Sequence, residues 1–128
     1  MYKIGDQVWD TARCKRAKVI DIKNEIYYIV EYPTPINGQF LSEPIFEAVE
    51  SQLRMYTPNC IPKSKIENSP YPEYVRCPLL DLDLLAASSC VLCSDIAGGL
   101  IKDRDINPLF TQIENWKGVC QNCRWFRN

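Results

Sequence analysis

Seven cysteines and no histidine bound the chemistry open to this chain of 128 residues. Cys90-Val91-Leu92-Cys93 and Cys120-Gln121-Asn122-Cys123 are two C-x2-C pairs, with residues 94–119 between them. Each pair offers two thiolates from one short stretch of backbone. Together they supply the four ligands of a tetrahedral zinc ion, bound at about 2.3 Å per sulfur. A shell closed by four thiolates leaves no position for water or substrate, so such a site is structural. The spacing therefore predicts Zn as cofactor and Cys90, Cys93, Cys120 and Cys123 as its ligands. Free buried thiols and a redox Cys-x-x-Cys couple are the other readings, and the redox one calls for a thioredoxin-like βαβ frame that the pattern lacks. Cys14, Cys60 and Cys77 are left over, and single cysteines usually act as small buried apolar residues. Cys77 is the one placed to replace a ligand if one pair is not used.

Other chemistry is thinly represented. Without histidine the chain has no common general base, no histidine-containing triad and no histidine-ligated metal. Gly98-Gly99 lacks the lysine and hydroxyl of a phosphate loop. Asp81 and Asp83 stand two apart, which on a helix sends them to different faces. The charges nearly cancel, with 15 basic against 16 acidic residues, so no overall positive field argues for phosphate-rich partners. An odd number of cysteines and the lack of an apolar leader or a long apolar run predict a cytoplasmic protein with reduced thiols and no membrane contact.

The elements that must position these residues fall into three stretches. Over residues 1–56, short β-rich runs recur: Gln7-Val8-Trp9, Ala17 to Ile22, Ile26 to Tyr32, and Pro44 to Val49. Lys23-Asn24-Glu25 has the length of a tight hairpin, and Pro33, Pro35, Asn37 and Gly38 end the third run. Period-2 alternation puts Tyr28, Val30 and Tyr32 on the expected core face, with Tyr27, Ile29 and Glu31 opposite. Val8, Ile20 and Val30 are the expected core. Residues 57–78 carry Pro58, Pro62, Pro70, Pro72 and Pro78 and read as a connecting segment. Residues 79–128 hold the cysteine pairs. There Leu79 to Ala87 reads as a helix, with a short strand as the alternative, and Asn107 to Trp116 as a second helix. That second helix is capped by Asn107 and Pro108, ends before Gly118, and has Leu109, Ile113 and Trp116 on one face.

The order KIGDQVW, AKVIDI, IYYIVEY, VESQLR resembles the small barrels of the Tudor and KOW families over residues 3–55, and the cysteine pairs resemble a zinc ribbon. Similar openings occur in small bacterial and phage proteins. The resemblance implies an α+β, mainly β chain: a small five-stranded antiparallel barrel followed by a small zinc-stabilised α/β part. It carries a fold and no activity.

Function read this way is non-enzymatic binding or adaptor work, possible for a phage protein in its host's cytoplasm, with a protein as the expected partner. Trp9 and Tyr27, beside Ile29, are candidates for an outward aromatic patch on the barrel. Trp125 and Phe126, flanked by Arg124 and Arg127, are candidates for an interface edge. Internal packing is the competing reading of all four. A nucleic-acid-binding module is the second function, with Arg13, Lys15, Arg16, Lys18, Arg124 and Arg127 as phosphate contacts. Solvated surface is the plain reading of those charges. A cysteine-based enzyme is the third.

Overall fold

Five short strands pair into one antiparallel sheet in the computed structural model of the chain, which describes residues 1–37, 44–68 and 70–126. The strands are β1 (Gln7–Asp10), β2 (Lys15–Lys23), β3 (Ile26–Glu31), β4 (Phe46–Ala48) and β5 (Leu53–Met55), in the order β4-β3-β2-β1-β5. Asn24 and Glu25 both adopt positive φ, 51° and 65°, the backbone of a tight hairpin turn that matches the twist of its strands. Ahead of β1, Gly5 also takes positive φ and donates its N–H to the Val19 carbonyl at 2.8 Å. That bond ties the chain before β1 to β2.

The expected barrel is corrected to a sheet. β4 and β5 end the strand order, and among the described residues no ladder joins them. The expected core face of β3 is also reversed. Tyr27 and Ile29 are buried, whereas Tyr28, Val30 and Tyr32 are only half-buried. Residues directly opposite in a ladder share a face, and the register sets Ile29 against Val19 and Tyr27 against Ile22 and Ala48. A bulge between Val19 and Asp21 shifts the alternation in β2, so Val19 points inward and Ile20 is half-buried. The core is Val8, Ala17, Val19, Tyr27, Ile29, Ala48 and Leu53, with Tyr2 closing one side. The Tyr2 ring meets Tyr27 edge-on at 5.5 Å, and its hydroxyl donates to the Leu53 carbonyl at 2.9 Å.

The chain forms two compact units. One holds Met1–Pro33 and Leu41–Ile61, the other Thr34–Phe40 and Pro62–Asn128. Residues just after β3 therefore belong with the C-terminal half. Ile36 bridges Ile106, and the Asn107 backbone and side-chain N–H groups donate to the carbonyls of Pro35 and Thr34. In this second unit a hairpin of β6 (Tyr74–Cys77) and β7 (Asp83–Ala86) leads into α1 (Ala87–Ala97), and α2 (Trp116–Gln121) follows a 3-10 turn at Pro108–Phe110.

Three expectations fail here. The proline-rich stretch contains a strand, because β6 begins only after Pro72 and finds its partner in β7. For Leu79 to Ala87 the helix fails and the alternative short strand holds, with Asp81 and Leu82 turning the chain at positive φ into β7. The helix read over 107–116 is a single 3-10 turn. Asn107 does cap it, accepting from the Leu109 N–H at 3.0 Å, but Phe110 rather than Ile113 is the fully buried anchor. Leu109 and Trp116 still pack against the core that holds Phe110, whereas Ile113 is exposed. Gly118 accordingly lies inside α2 rather than beyond a helix end. Gly38, expected to end the third run, lies outside the described residues. Among those described, no helix is long and apolar enough to cross a membrane.

Ile29 is 1% exposed and Ile45 57%, which sets a comparison within the sheet unit. Ile29→Ala should lower the unfolding free energy by about 2–5 kcal/mol through lost burial and the cavity left behind. Ile45→Ala should change it by no more than about 0.5 kcal/mol. Urea unfolding followed by circular dichroism checks both.

Candidate functional site

Five of the seven cysteines meet in the second unit. Cys77 ends β6, Cys90 and Cys93 lie three apart on α1, Cys120 lies on α2 and Cys123 follows it. Residues three apart on a helix share a face, so α1 turns both of its thiols toward α2. All five line one cavity of about 20 Å³, which Leu79, Leu85, Ser94, Trp125 and Phe126 help to close. Cys77, Cys93 and Cys120 belong to the apolar core of this unit, whereas Cys90 and Cys123 are half-buried. Cys14 and Cys60 lie in the sheet unit.

Within the cluster the sulfurs are already engaged with one another. The Cys93 and Cys120 thiols are hydrogen-bonded, sulfur to sulfur, at 4.0 Å. Two sulfurs on one tetrahedral zinc, each at about 2.3 Å, stand about 3.8 Å apart, so this pair has nearly the span of a tetrahedral edge. The hydrogen bond to Cys120, together with burial, pushes the Cys93 pKa well up. Its partner Cys120 is shifted down, first by that same bond and further by a bond with the Ser94 side chain, against the effect of burial. Burial pushes the Cys77 thiol up to about 11, opposed by backbone hydrogen bonds from Leu79 and Leu80 and reinforced by Cys120 and Cys123. As the side chains stand, no group of three or more cysteine, histidine, aspartate or glutamate side chains among the described residues is arranged to hold a metal ion.

The aromatic candidates face inward. Trp9 and Tyr27 are each 5% exposed, so the outward patch on the sheet is corrected: Tyr27 is core, and Trp9 is buried on β1. Phe126 packs against the thiol-containing core, and Trp125 lines the cavity and accepts the Cys90 S–H at its carbonyl, at 3.6 Å. Both are half-buried, each with part of its ring on the thiol-containing core and part left accessible.

Most of the basic candidates have partners within the chain. Arg13 pairs with the fully buried Asp10 at 2.7 Å and lies over the Phe46 ring at 3.4 Å. Arg16 is 3% exposed, donates to Gln7 and stacks over Tyr56 at 4.1 Å. Lys18 lies 5.5 Å from the Tyr32 ring, and Arg124 pairs with Glu67 at 3.6 Å and covers Trp125. Arg127 lies outside the described residues. Arg13, Lys15 and Arg16 line one cavity of the sheet unit, and Arg124 belongs to the second unit.

One site was missed by reading the sequence. A cavity of about 290 Å³ opens in the sheet unit, walled by Asp10, Arg13, Lys15, Arg16, Glu31 and Phe46 among others. It is large enough for a side chain or small ligand and mixes cations, acids and one aromatic ring. Arg13 and Lys15 were noticed for charge alone. Asp10 and Glu31 gave no signal, because only the pairing of β1, β2 and β3 brings them to the same cavity.

Comparison with known proteins finds no match: no protein family, no curated sequence and no solved structure is significantly similar to the chain.

Alkylation of metal-free protein near pH 8 should follow burial and pKa together. The reactive species is the thiolate, so exposed Cys14 should be modified first. Cys77 and Cys93, buried and shifted upward, should be modified last. Timed quenching and peptide mapping by mass spectrometry read the order.

Proposed function

We propose that the chain is a non-enzymatic binding or adaptor protein in which one zinc ion, held by cysteines of the second unit, fixes the surface that this unit offers a partner. The observation that carries the reading is the convergence of five thiols on one small cavity inside an apolar core. The residues best suited to chemistry thus face inward, where a substrate has little room. A closed thiolate shell has no open coordination position, so the ion's contribution is to folding. Small C-terminal elements such as α2, six residues long, gain most from it. Structural zinc supplies on the order of 10 kcal/mol in comparable small sites.

On the sheet unit the proposed foothold for a partner is the cavity beside Lys15. Arg13 and Arg16 on its walls are tied to Asp10 and Gln7. Among the described residues, half-buried Lys15 is the lining cation for which we propose a carboxylate of a protein partner as counter-charge. The alternative of nucleic-acid binding draws less support, since Arg16 is buried and Arg13 and Arg124 are ion-paired.

Protein purified without chelator should contain about one zinc per chain by elemental analysis, as four thiolates saturate one tetrahedral ion. Removing the metal should loosen the second unit while the sheet persists, because the sheet core is drawn from its own strands. Less than half an equivalent of zinc, or simultaneous loss of the β signal, counts against the proposal. A partner retained at moderate salt should be lost with Lys15→Glu at unchanged melting temperature. Retention on immobilised RNA or DNA that falls steeply with salt would favour the alternative.

A further inference from the structure

By spacing alone, a disulfide in the second unit would join Cys90 to Cys93 or Cys120 to Cys123, within one C-x2-C pair. The side chains pair differently. The sulfur–sulfur contact at 4.0 Å runs between the pairs, from Cys93 on α1 to Cys120 on α2, and both residues lie in the apolar core. Cys90 stands one turn before Cys93 on the same helix, but its S–H is directed to the Trp125 carbonyl at 3.6 Å. Bonded sulfurs stand about 2.05 Å apart, so the Cys93 and Cys120 sulfurs have to approach by about 2 Å, within the reach of side-chain rotation. Residues 94–119 lie between the two in sequence, and a cross-link over a loop of that length restricts the unfolded chain. Access is provided as well. Cys90 and Cys123 are half-buried and line the same small cavity as the buried pair, so an oxidant has to reach only one of them.

We propose that Cys93 and Cys120 form a reversible disulfide, an oxidative modification site that joins α1 to α2. The oxidant is a small disulfide that enters by thiol–disulfide exchange. A half-buried cysteine, as thiolate, attacks one of its sulfurs, forming a mixed disulfide and releasing one small thiol. Exchange among the cavity thiols releases the second and carries the bond inward to the pair already in contact. In net, the S–S bond of the oxidant breaks and the Cys93–Cys120 bond forms. Two protons and two electrons leave the protein on the two small thiols. The disulfide stands on the sulfur contact alone, whereas its effect on metal rests on the zinc reading given above. Oxidation takes two of the four thiolates out of the shell, so the ion is released while α1 and α2 stay joined covalently.

The test equilibrates the full-length, unsubstituted chain in glutathione buffers of increasing oxidised fraction, quenches with acid and alkylates the remaining thiols. Unreduced peptides are then mapped by mass spectrometry, with fragmentation to locate each bonded sulfur. The dominant link should join Cys93 to Cys120 and disappear with excess dithiothreitol. It should appear in step with the release of about one zinc per disulfide, read with a chromogenic chelator. A dominant link through any other pair of cysteines, glutathione adducts alone, or no disulfide in the most oxidising buffer overturns the proposal. A Cys93–Cys120 link in protein that carries no zinc as purified leaves the disulfide standing and overturns the zinc reading. Zinc retained in the linked protein overturns the release.

Discussion

The second unit depends on the contact between Cys93 on α1 and Cys120 on α2. Around that contact the hairpin, both helices and the 3-10 turn at Pro108–Phe110 contribute to one core, in which Cys77, Cys93 and Cys120 stand beside Leu79, Leu85, Ala97 and Phe110. Nearly half of these buried side chains end in sulfur. Small thiols bury less apolar area than leucine or isoleucine, so a core of this composition gains less from the hydrophobic effect than its residue count suggests. A metal ion coordinated by the same sulfurs would offset that deficit, and its effect would be largest where secondary structure is shortest.

The first unit meets its needs differently. Its core contains no sulfur and is drawn from β1, β2, β3, β4 and β5, and its most buried polar group, Asp10, is neutralised locally. One carboxylate oxygen accepts from the Ala12 N–H at 3.0 Å and the other pairs with Arg13 at 2.7 Å. An unpaired buried carboxylate costs several kcal/mol, so Arg13 is held in place by Asp10 before any outside ligand is considered. The aromatic ring of Phe46 beneath the guanidinium holds it further. Charge at Arg13 and Arg16 thus belongs to the architecture of the sheet.

How much of this was legible depended on whether a feature was local. The strand runs and the hairpin at Asn24 were readable because turn chemistry and β-branched runs act within a few residues, and so was the Asn107 cap. The core face of β3 was not, since the alternation of Ile26 to Tyr32 is apolar on both faces and only the pairing with β2, shifted by a bulge, selects Tyr27 and Ile29. Strand β6 was hidden by surrounding prolines, and the helix expected over 107–116 rested on a cap and a first-turn proline that a single 3-10 turn uses equally well. The cysteine pairs were visible from spacing alone. That Cys77 shares their cavity was not, because β6 reaches α1 only through a hairpin that the sequence did not reveal. Trp125 and Phe126 had two readings in the sequence, and the thiol cavity supplies the apolar surface on which each is half-buried.

These placements also constrain how a partner could engage the sheet. The end strands of the ladder, β4 and β5, are three residues each, and a strand added to so short an edge gains few backbone hydrogen bonds. A partner that relied on strand addition would therefore need further contacts. The cavity walled by Lys15, Glu31 and Phe46 offers them on the same unit, with charge of both signs and an aromatic face. Because Arg13 and Arg16 are already committed, selectivity there falls to Lys15 and to the shape of the opening. On the binding role proposed for this unit, a group with one negative charge fits that balance better than a polyphosphate chain, so a peptide carboxylate is the proposed occupant in preference to nucleic acid.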